Sequence, residues 1–232
     1  MTAGPRVSVV IPAWNEAERL PRLLDALERC DPGPDEVIVV DGGSHDGTPE
    51  LARAGSRVIV AGRGRARQQN AGAAAAVGDV LWFLHADCVP ATSAIEEIRS
   101  AIVRGSPGGC FRIAFPPQER ALHPLMPWIE RGINARTRLT RGGTGDQGLF
   151  AGREAFDAAG GFPAWPLFED VALAARLRRA GRFAVCRGPL ETSARRWLGH
   201  GVARTMARMW ALRLAYLAGV SPESLARRWS AG

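Results

Sequence analysis

Short apolar runs alternate with amphipathic stretches through the first half of the chain. Val7-Ser8-Val9-Val10-Ile11 reads as a strand that Pro12 stops. Residues 16–29 carry Leu20, Leu23, Leu24 and Leu27 on one face of a helix. A second strand, 36–40, ends on Asp41-Gly42-Gly43, and Ser44-His45-Asp46-Gly47-Thr48 is turn chemistry leading into a short helix to Ala54. Residues 57–61 read as a third strand, 66–77 as an alanine-rich helix, 79–84 as a strand apolar enough for burial on both faces, and 93–103 as a helix. This order predicts an α/β fold with a doubly wound, mostly parallel sheet.

After Gly108 the rhythm changes. Residues 110–115 read as a strand broken by Pro116-Pro117, followed by a helical stretch around Trp128 and Ile129 and a glycine-rich turn at 141–148. A short strand at 149–152, a helix at 169–180, a strand at 182–186 and a basic amphipathic helix at 201–218 complete the pattern. No repeat or linker interrupts it, so residues 1–232 are expected to form one domain, with internal divisions at about 105 and 198.

Composition narrows the picture. A hydrophobic content of 46% with 27 glycines suits a folded α/β protein. The net charge of +7 comes wholly from arginine, and the absence of lysine excludes a Schiff-base or Walker lysine. Arginines crowd the chain from Arg176 onward, opposed only by Glu191 and Glu223, which suggests an anionic partner: a phosphate group, acidic lipid or nucleic acid. Cys30, Cys88, Cys110 and Cys186 are scattered, which indicates neither a zinc knuckle nor a disulfide framework and makes the cytoplasm the expected compartment. The first residues are too few and too polar for a signal peptide, and no run of 18 apolar residues spans a membrane.

Candidate chemistry collects at strand ends, where open α/β sheets bind ligands. The strand at 79–84 runs into His85-Ala86-Asp87, and in an extended chain both polar residues point to one side. Asp87 alone reads either as a ligand for a hard cation or nucleotide, or as a cap for the helix beginning near Thr92. Pro12-Ala13-Trp14-Asn15-Glu16 and Asp41 to Thr48 end two further strands in the same crevice, and Glu169-Asp170 opens a late helix.

Taken together and in order, these segments, with Gln69-Asn70-Ala71-Gly72, Gly160-Gly161-Phe162 and Glu169-Asp170-Val171-Ala172-Leu173, resemble the family 2 glycosyltransferases over roughly residues 6–186. His-Ala-Asp, Gly-Asp-Gln-Gly and Ser-Ala-Arg-Arg-Trp look like elements of small stand-alone bacterial transferases, some associated with arsenosugar formation and others named by similarity to a carotenoid glycosyltransferase. The resemblance implies a GT-A fold, with a Rossmann-like nucleotide-sugar-binding half at 6–105, a mixed acceptor and catalytic half at 106–198, and a helical extension at 199–232. It implies an inverting transferase of hexosyl type using a nucleoside diphosphate sugar, UDP-linked, and a small or lipid-like acceptor.

Residue by residue, the resemblance makes Asp41 the acceptor for a uridine N–H, with Ser44 and Asp46 better placed to cap the following turn. Pro12, Ala13 and Glu16 would line base and ribose, Glu16 alternatively being a first-turn acid. Arg65 or Arg67 would reach the nucleotide from a helix N-terminus, or form a solvated face. Asp87 closes the family's Asp-x-Asp element and would hold Mn²⁺ or Mg²⁺. His85 stands where the first aspartate is usual, which favours Mn²⁺, or else it bonds the ribose. His200 is a distant metal ligand or a surface residue. Asp170 matches the catalytic base and Glu169 supports it, the other reading being that both cap the helix. Asp146 and Gln147 fall where the family forms its acceptor floor, or make only a turn. Arg195 and Arg196 would hold the diphosphate and Trp197 an acceptor face. Ser193, in place of the glutamine of processive members, argues against polymer synthesis.

Two rivals remain at this level: a sugar nucleotidyltransferase, which lacks its glycine-rich basic loop here, and a non-catalytic nucleotide- or RNA-binding module, which lacks interleaved aromatics. Nucleic acid is not an expected partner. The late basic helix is expected to pack on its own domain, with peripheral contact to anionic lipid at the inner membrane face as the second reading.

Overall fold

A computed structural model describes residues 4–199 and 201–230, apart from the side chains of Arg196, Trp229 and Ser230. Strand β1 (Val7–Ala13) leads through α1 (Leu20–Glu28) to β2 (Glu36–Asp41), α2 (Thr48–Ala52), β3 (Arg57–Val60), α3 (Arg65–Ala75) and β4 (Val80–Phe83). Then follow β5 (Cys88–Val89), α4 (Ala94–Val103), β6 (Gly108–Ala114), α5 (Pro117–Arg120), α6 (Met126–Thr140), a 3₁₀ turn (Gly145–Gln147), β7 (Phe150–Gly152) and α7 (Arg153–Ala158). The chain closes with α8 (Glu169–Ala180), β8 (Ala184–Thr192), α9 (Arg195–Gly199), α10 (Val202–Leu217) and α11 (Pro222–Ser230).

Among the described residues, eight strands make one sheet in the order β3-β2-β1-β4-β7-β6-β8-β5. The β3-β2-β1-β4 half is parallel throughout, as the strand–helix alternation requires. The other half is mixed: β7 runs antiparallel to both β4 and β6, β8 runs parallel to β6, and β5 runs antiparallel to β8. Alternate residues feed two cores. Val9, Ile11, Trp82 and Leu84 pack with Leu20, Leu23 and Leu27 on one face. Val10, Leu81 and Phe83 pack with α3, Phe156, Phe162, Leu173 and Leu177 on the other. A third cluster, Ile113, Phe115, Met126, Ile129, Ala194 and Val202, seats α6, α9 and α10.

Several boundaries differ from expectation for identifiable reasons. Pro12 does not stop β1, because it lies past the pairing with β4, where its missing N–H has no ladder partner to disappoint. Helix α1 starts at Leu20 rather than at 16, since Ser44, Asp46 and Thr48 side chains capture the N–H groups of Asn15, Ala17 and Glu16 in a loop. Strand β8 runs well past Cys186. Its irregularity near Arg187 and Gly188 is held by Glu97, whose carboxylate accepts both N–H groups at 2.7 and 2.8 Å.

Helix α3 approaches the sheet closely. A Cβ on Gly72 would lie 2.3 Å from Val10 and 2.9 Å from Val40, so only glycine fits. Asn70 then clasps Phe162, donating to its carbonyl at 2.8 Å and accepting its N–H at 3.0 Å. This two-way bond sets the start of α8 opposite the start of α3. All four cysteines are buried thiols, and no helix among the described residues is long and apolar enough to cross a membrane.

Candidate functional site

The carboxyl ends of β1, β2 and β4 open on one side of the sheet, as expected of a parallel half. Asp41, at the end of β2, is almost fully buried and shapes its own turn. Its Oδ2 accepts the Gly43 N–H at 2.9 Å and the Ser44 N–H at 3.1 Å. Asp46 caps the following turn as expected, its Oδ1 accepting the Thr48 N–H at 3.1 Å, whereas Ser44 is a correction: its hydroxyl accepts the Asn15 N–H in the loop after β1 instead. Two N–H bonds still leave the carboxylate acceptor capacity toward the crevice. Ala13 is a second correction: its side chain is buried, and its carbonyl accepts from Gly42 and from the Gln68 amide, so it offers a ligand no surface. Pro12 is half-buried beside it.

Gln68 was not singled out in the sequence. Its amide donates to Ala13 and Val40 carbonyls at 2.8 Å each and accepts the Gly64 N–H, tying two strand ends to the loop before α3. A glutamine on the buried side of an alanine-rich helix was the available signal. The same loop carries Arg63, whose guanidinium lies 3.4 Å above the Trp14 ring at the crevice mouth. Glu16 pairs with Arg19 at 3.1 Å on the rim, and Arg67 is exposed beside Gly62 and Gly64.

After β4, the chain does not run directly into a helix. His85 and Asp87 are followed by β5, paired to the end of β8, and α4 begins only at Ala94. Asp87 therefore does not cap α4, whose N-cap position is Ser93. The β5–β8 pairing instead brings Arg195 to it, Nη2 to Oδ2 at 3.6 Å. Glu119 supports that approach by accepting the Ser193 hydroxyl at 3.2 Å and the Ala194 N–H. Trp197 is a correction: it is half-buried against the Ile113–Met126 cluster, so its face is largely spent on packing. His200 and the Arg196 side chain lie outside the described residues.

His85 Nδ1 sits 3.1 Å from Asp146 Oδ1, which favours the Nδ1–H form and leaves Nε2 as an acceptor. Nε2 is buried and has no hydrogen-bond partner. A Cβ on Gly145 would lie 2.8 Å from Nε2 and 3.4 Å from Asp170 Oδ2, so glycine keeps this space open. The turn that bears Gly145 is pinned from below: the Trp82 indole donates to the Gly148 carbonyl at 3.2 Å. Gln147, expected on the acceptor floor, is fully buried, and its amide donates to Phe111 and Thr137 and accepts from Thr144. It shapes the turn, and its side chain has no exposed surface.

Asp170 opens α8 and accepts the Gly145 N–H at 2.5 Å and the Val171 N–H at 2.7 Å. Phe168, just before it, holds φ +66° and stacks on Tyr216 of α10 at 4.6 Å. Glu169 is buried at 2% exposure with Oε1 3.5 Å from Arg65 Nε, and no hydrogen bond reaches that oxygen. Burial pushes its carboxyl above the ordinary range; Arg65 pulls it back down and Asp170 pushes it further up. Burial alone would lower the Arg65 guanidinium, yet Glu169, Asp170, Asp146 and Asp87 together raise it. One arginine thus senses acids from the end of β4, the glycine turn and the start of α8.

Among the described residues, no three His, Cys, Asp or Glu side chains converge as a ready-made metal cage. A divalent cation that uses one or two carboxylates plus phosphate oxygens needs no such cage, and Asp87, with the unpartnered His85 Nε2 nearby in sequence, fits that donor chemistry.

A family model described as Glycosyl transferase family 2 matches residues 8–155. The glycosyltransferase AglE of Haloferax volcanii is 36% identical over 108 residues, which cover 42% of this chain and 36% of that protein. The chain spans about a third of the length of the curated relatives it matches. Among solved structures, the mannosyltransferase PcManGT from Pyrobaculum calidifontis, in complex with GDP-Man and Mn²⁺, superposes with a TM-score of 0.58 at 24% identity, covering 80% of this chain and 57% of that one. Glucosyl-3-phosphoglycerate synthase from Mycobacterium tuberculosis, in complex with Mn²⁺, UDP and glucosyl-3-phosphoglycerate, superposes with a TM-score of 0.61 at 22% identity, covering 94% and 81%. These two likenesses are of fold.

Proposed function

The chain belongs to glycosyl transferase family 2 and has the GT-A fold, and on that footing we propose that it transfers a hexosyl group, with inversion, from a UDP-sugar to a small or lipid-like acceptor. The observation that carries this reading is the meeting of acids at one place: Asp170 accepts the Gly145 N–H at 2.5 Å, His85 Nδ1 lies 3.1 Å from Asp146, and Glu169 lies 3.5 Å from Arg65. Asp170 is the general base. Its carboxylate takes the proton of the acceptor hydroxyl as that oxygen bonds to the anomeric carbon, while the carbon–diphosphate bond breaks and its electron pair leaves on the nucleoside diphosphate. Attack from the side opposite the leaving group inverts the centre.

The remaining groups bind and orient. Asp41 has acceptor capacity left for a base N–H, and Arg63 on Trp14 forms the outer wall of the base site. His85 Nε2 accepts from a hydroxyl of the donor, and Arg195, beside Asp87, reaches the diphosphate. Asp87 would hold a divalent cation, Mn²⁺ or Mg²⁺, which when bound would supply charge neutralisation for the leaving diphosphate. In this reading residues 6–105 serve the donor, 106–198 the acceptor and 199–232 an appended helical layer. The His85-Ala86-Asp87 and Gly145-Asp146-Gln147-Gly148 elements support a place in the His-Ala-Asp subgroup of bacterial transferases.

Calorimetric titration of UDP, GDP and dTDP in Mn²⁺ tests the donor assignment. Saturable binding with UDP preferred supports it. No binding of any nucleoside diphosphate refutes it.

A further inference from the structure

Arg136 on α6 and Arg213 on α10 both stand beside the Asp170 turn, and nothing in the reading above uses them. Arg136 is anchored at Gln147, whose Oε1 it meets at a long 3.4 Å while that oxygen already accepts from Thr144. Its Nε is buried with no acceptor at all. Arg213 lies three residues before Tyr216, hence on the face of α10 that stacks on Phe168 next to Glu169 and Asp170. Among the described residues neither guanidinium makes an ion pair, and Arg213 makes no hydrogen bond.

Among the described residues neither arginine has a carboxylate within ion-pair distance, and two like charges held together are costly. Burial lowers the Arg136 guanidinium from its ordinary value and the nearby Arg213 lowers it further, while Cys110, Asp170 and Asp146 oppose the shift without pairing with it. A buried, unpaired N–H donor normally finds a partner. The missing partner is an anion. Planar guanidinium forks select phosphate or carboxylate through paired N–H bonds. Both arginines come from α6 and α10, whereas the Asp87–Arg195 pair comes from the segments that follow β4 and β8.

We propose that Arg136 and Arg213 form a seat for an anionic group on the acceptor, a phosphate monoester or carboxylate, which orients the acceptor hydroxyl toward Asp170. The assignment of this anion to the acceptor rests on the reading of Asp170 as the base.

Inorganic phosphate is the probe. It is titrated into the full chain with and without saturating UDP and Mn²⁺. The seat is supported by phosphate binding that persists with UDP present and weakens by at least about tenfold in Arg213→Gln and in Arg136→Gln/Arg213→Gln, while UDP affinity is unchanged. Phosphate that UDP displaces, that binds the double variant equally, or that fails to bind, overturns it. Phosphate binding is read without donor or turnover, so absence of UDP binding in every form would sink the transferase reading and leave this test intact. Arg213→Gln guards against misfolding: removing one like charge should raise the melting temperature without phosphate and abolish the further rise that phosphate gives. Glycerol 3-phosphate and phosphatidylcholine vesicles containing phosphatidic acid separate the sources. Loss of the first interaction in the double variant marks a soluble acceptor, loss of the second alone a lipid phosphate, and loss of neither overturns the seat.

Discussion

Arg65 Nε stands 3.5 Å from Glu169 Oε1, joining the first turn of α3 to the first turn of α8 across the crevice. The two residues are more than a hundred positions apart, and what brings them together is the packing beneath them. Gly72 lets α3 settle on β1 and β2, and Asn70 clasps Phe162 just ahead of α8. The ion pair is thus a consequence of close packing two turns away. It holds a buried carboxylate, Glu169, next to the more accessible Asp170.

Asp170→Asn should abolish proton acceptance while preserving shape and the Gly145 contact. Transfer is expected to fall by about 10²–10⁴-fold, with UDP affinity unchanged by calorimetry. Equal transfer in the variant would remove Asp170 from the base role.

Asp87→Ala tests the cation site. In the wild type, chelation of the divalent metal should weaken UDP binding. In the variant, UDP affinity should already be low and no longer respond to Mn²⁺. A full Mn²⁺ response in Asp87→Ala would place the cation elsewhere.

Glu169 sets a pH dependence with a definite sign. Its folded-state pKa is raised above the ordinary 4.5, first by burial, with Arg65 opposing and Asp170 adding to the rise. Its stabilising contribution is therefore complete below the unfolded value and is lost as pH rises through the folded one. Glu169→Gln, which stays neutral, should melt higher than wild type near pH ~8, and the advantage should vanish by about pH ~4. An advantage that grows on acidification would contradict the burial argument.

Gly145→Ala places a methyl 2.8 Å from His85 Nε2. Displacing the turn should cost roughly 10²-fold in kcat/KM, since an ångström of misplacement at a reacting group has that effect. Thermal stability should change little by comparison. If the loss appeared only as a lower melting temperature, the glycine would be structural alone.

Gly72→Ala is the packing counterpart. Its Cβ would overlap Val10 at 2.3 Å, within a sheet face already full. Destabilisation of about 1–3 kcal/mol is expected from denaturant unfolding, and loss of the Arg65–Glu169 pairing should follow as α3 lifts.

Local pattern made much of the fold legible. Leu20, Leu23 and Leu27 repeat at helical spacing and are the buried face of α1; residues 80–83 are apolar throughout because β4 is covered on both faces. The alternation that predicts parallel β1 to β4 is a local property, and the structure has it. Strand β8 was half hidden, since Gly188 and Pro189 look like breakers until Glu97, ninety residues earlier, captures the adjacent N–H groups. The site divides the same way. Asp41, Asp87 and Asp170 are visible as acids at strand and helix ends. Whether Gln147 and Ala13 face a ligand or the core is not visible, because a polar or small residue beside a turn reads alike in both settings.

The sequence by itself determined which residue types stand at the ends of which elements, since periodicity and turn chemistry act over a few residues. Only the tertiary structure decided which of those ends meet. Asp87 turned out to face Arg195 because β5 pairs with the end of β8, Arg65 to face Glu169 because Asn70 of α3 clasps Phe162 ahead of α8, and Arg136 to lie near Arg213 because α6 and α10 share one hydrophobic cluster. Each of those meetings depends on the fit of surfaces distant in the chain, and that fit is a property of the packed molecule.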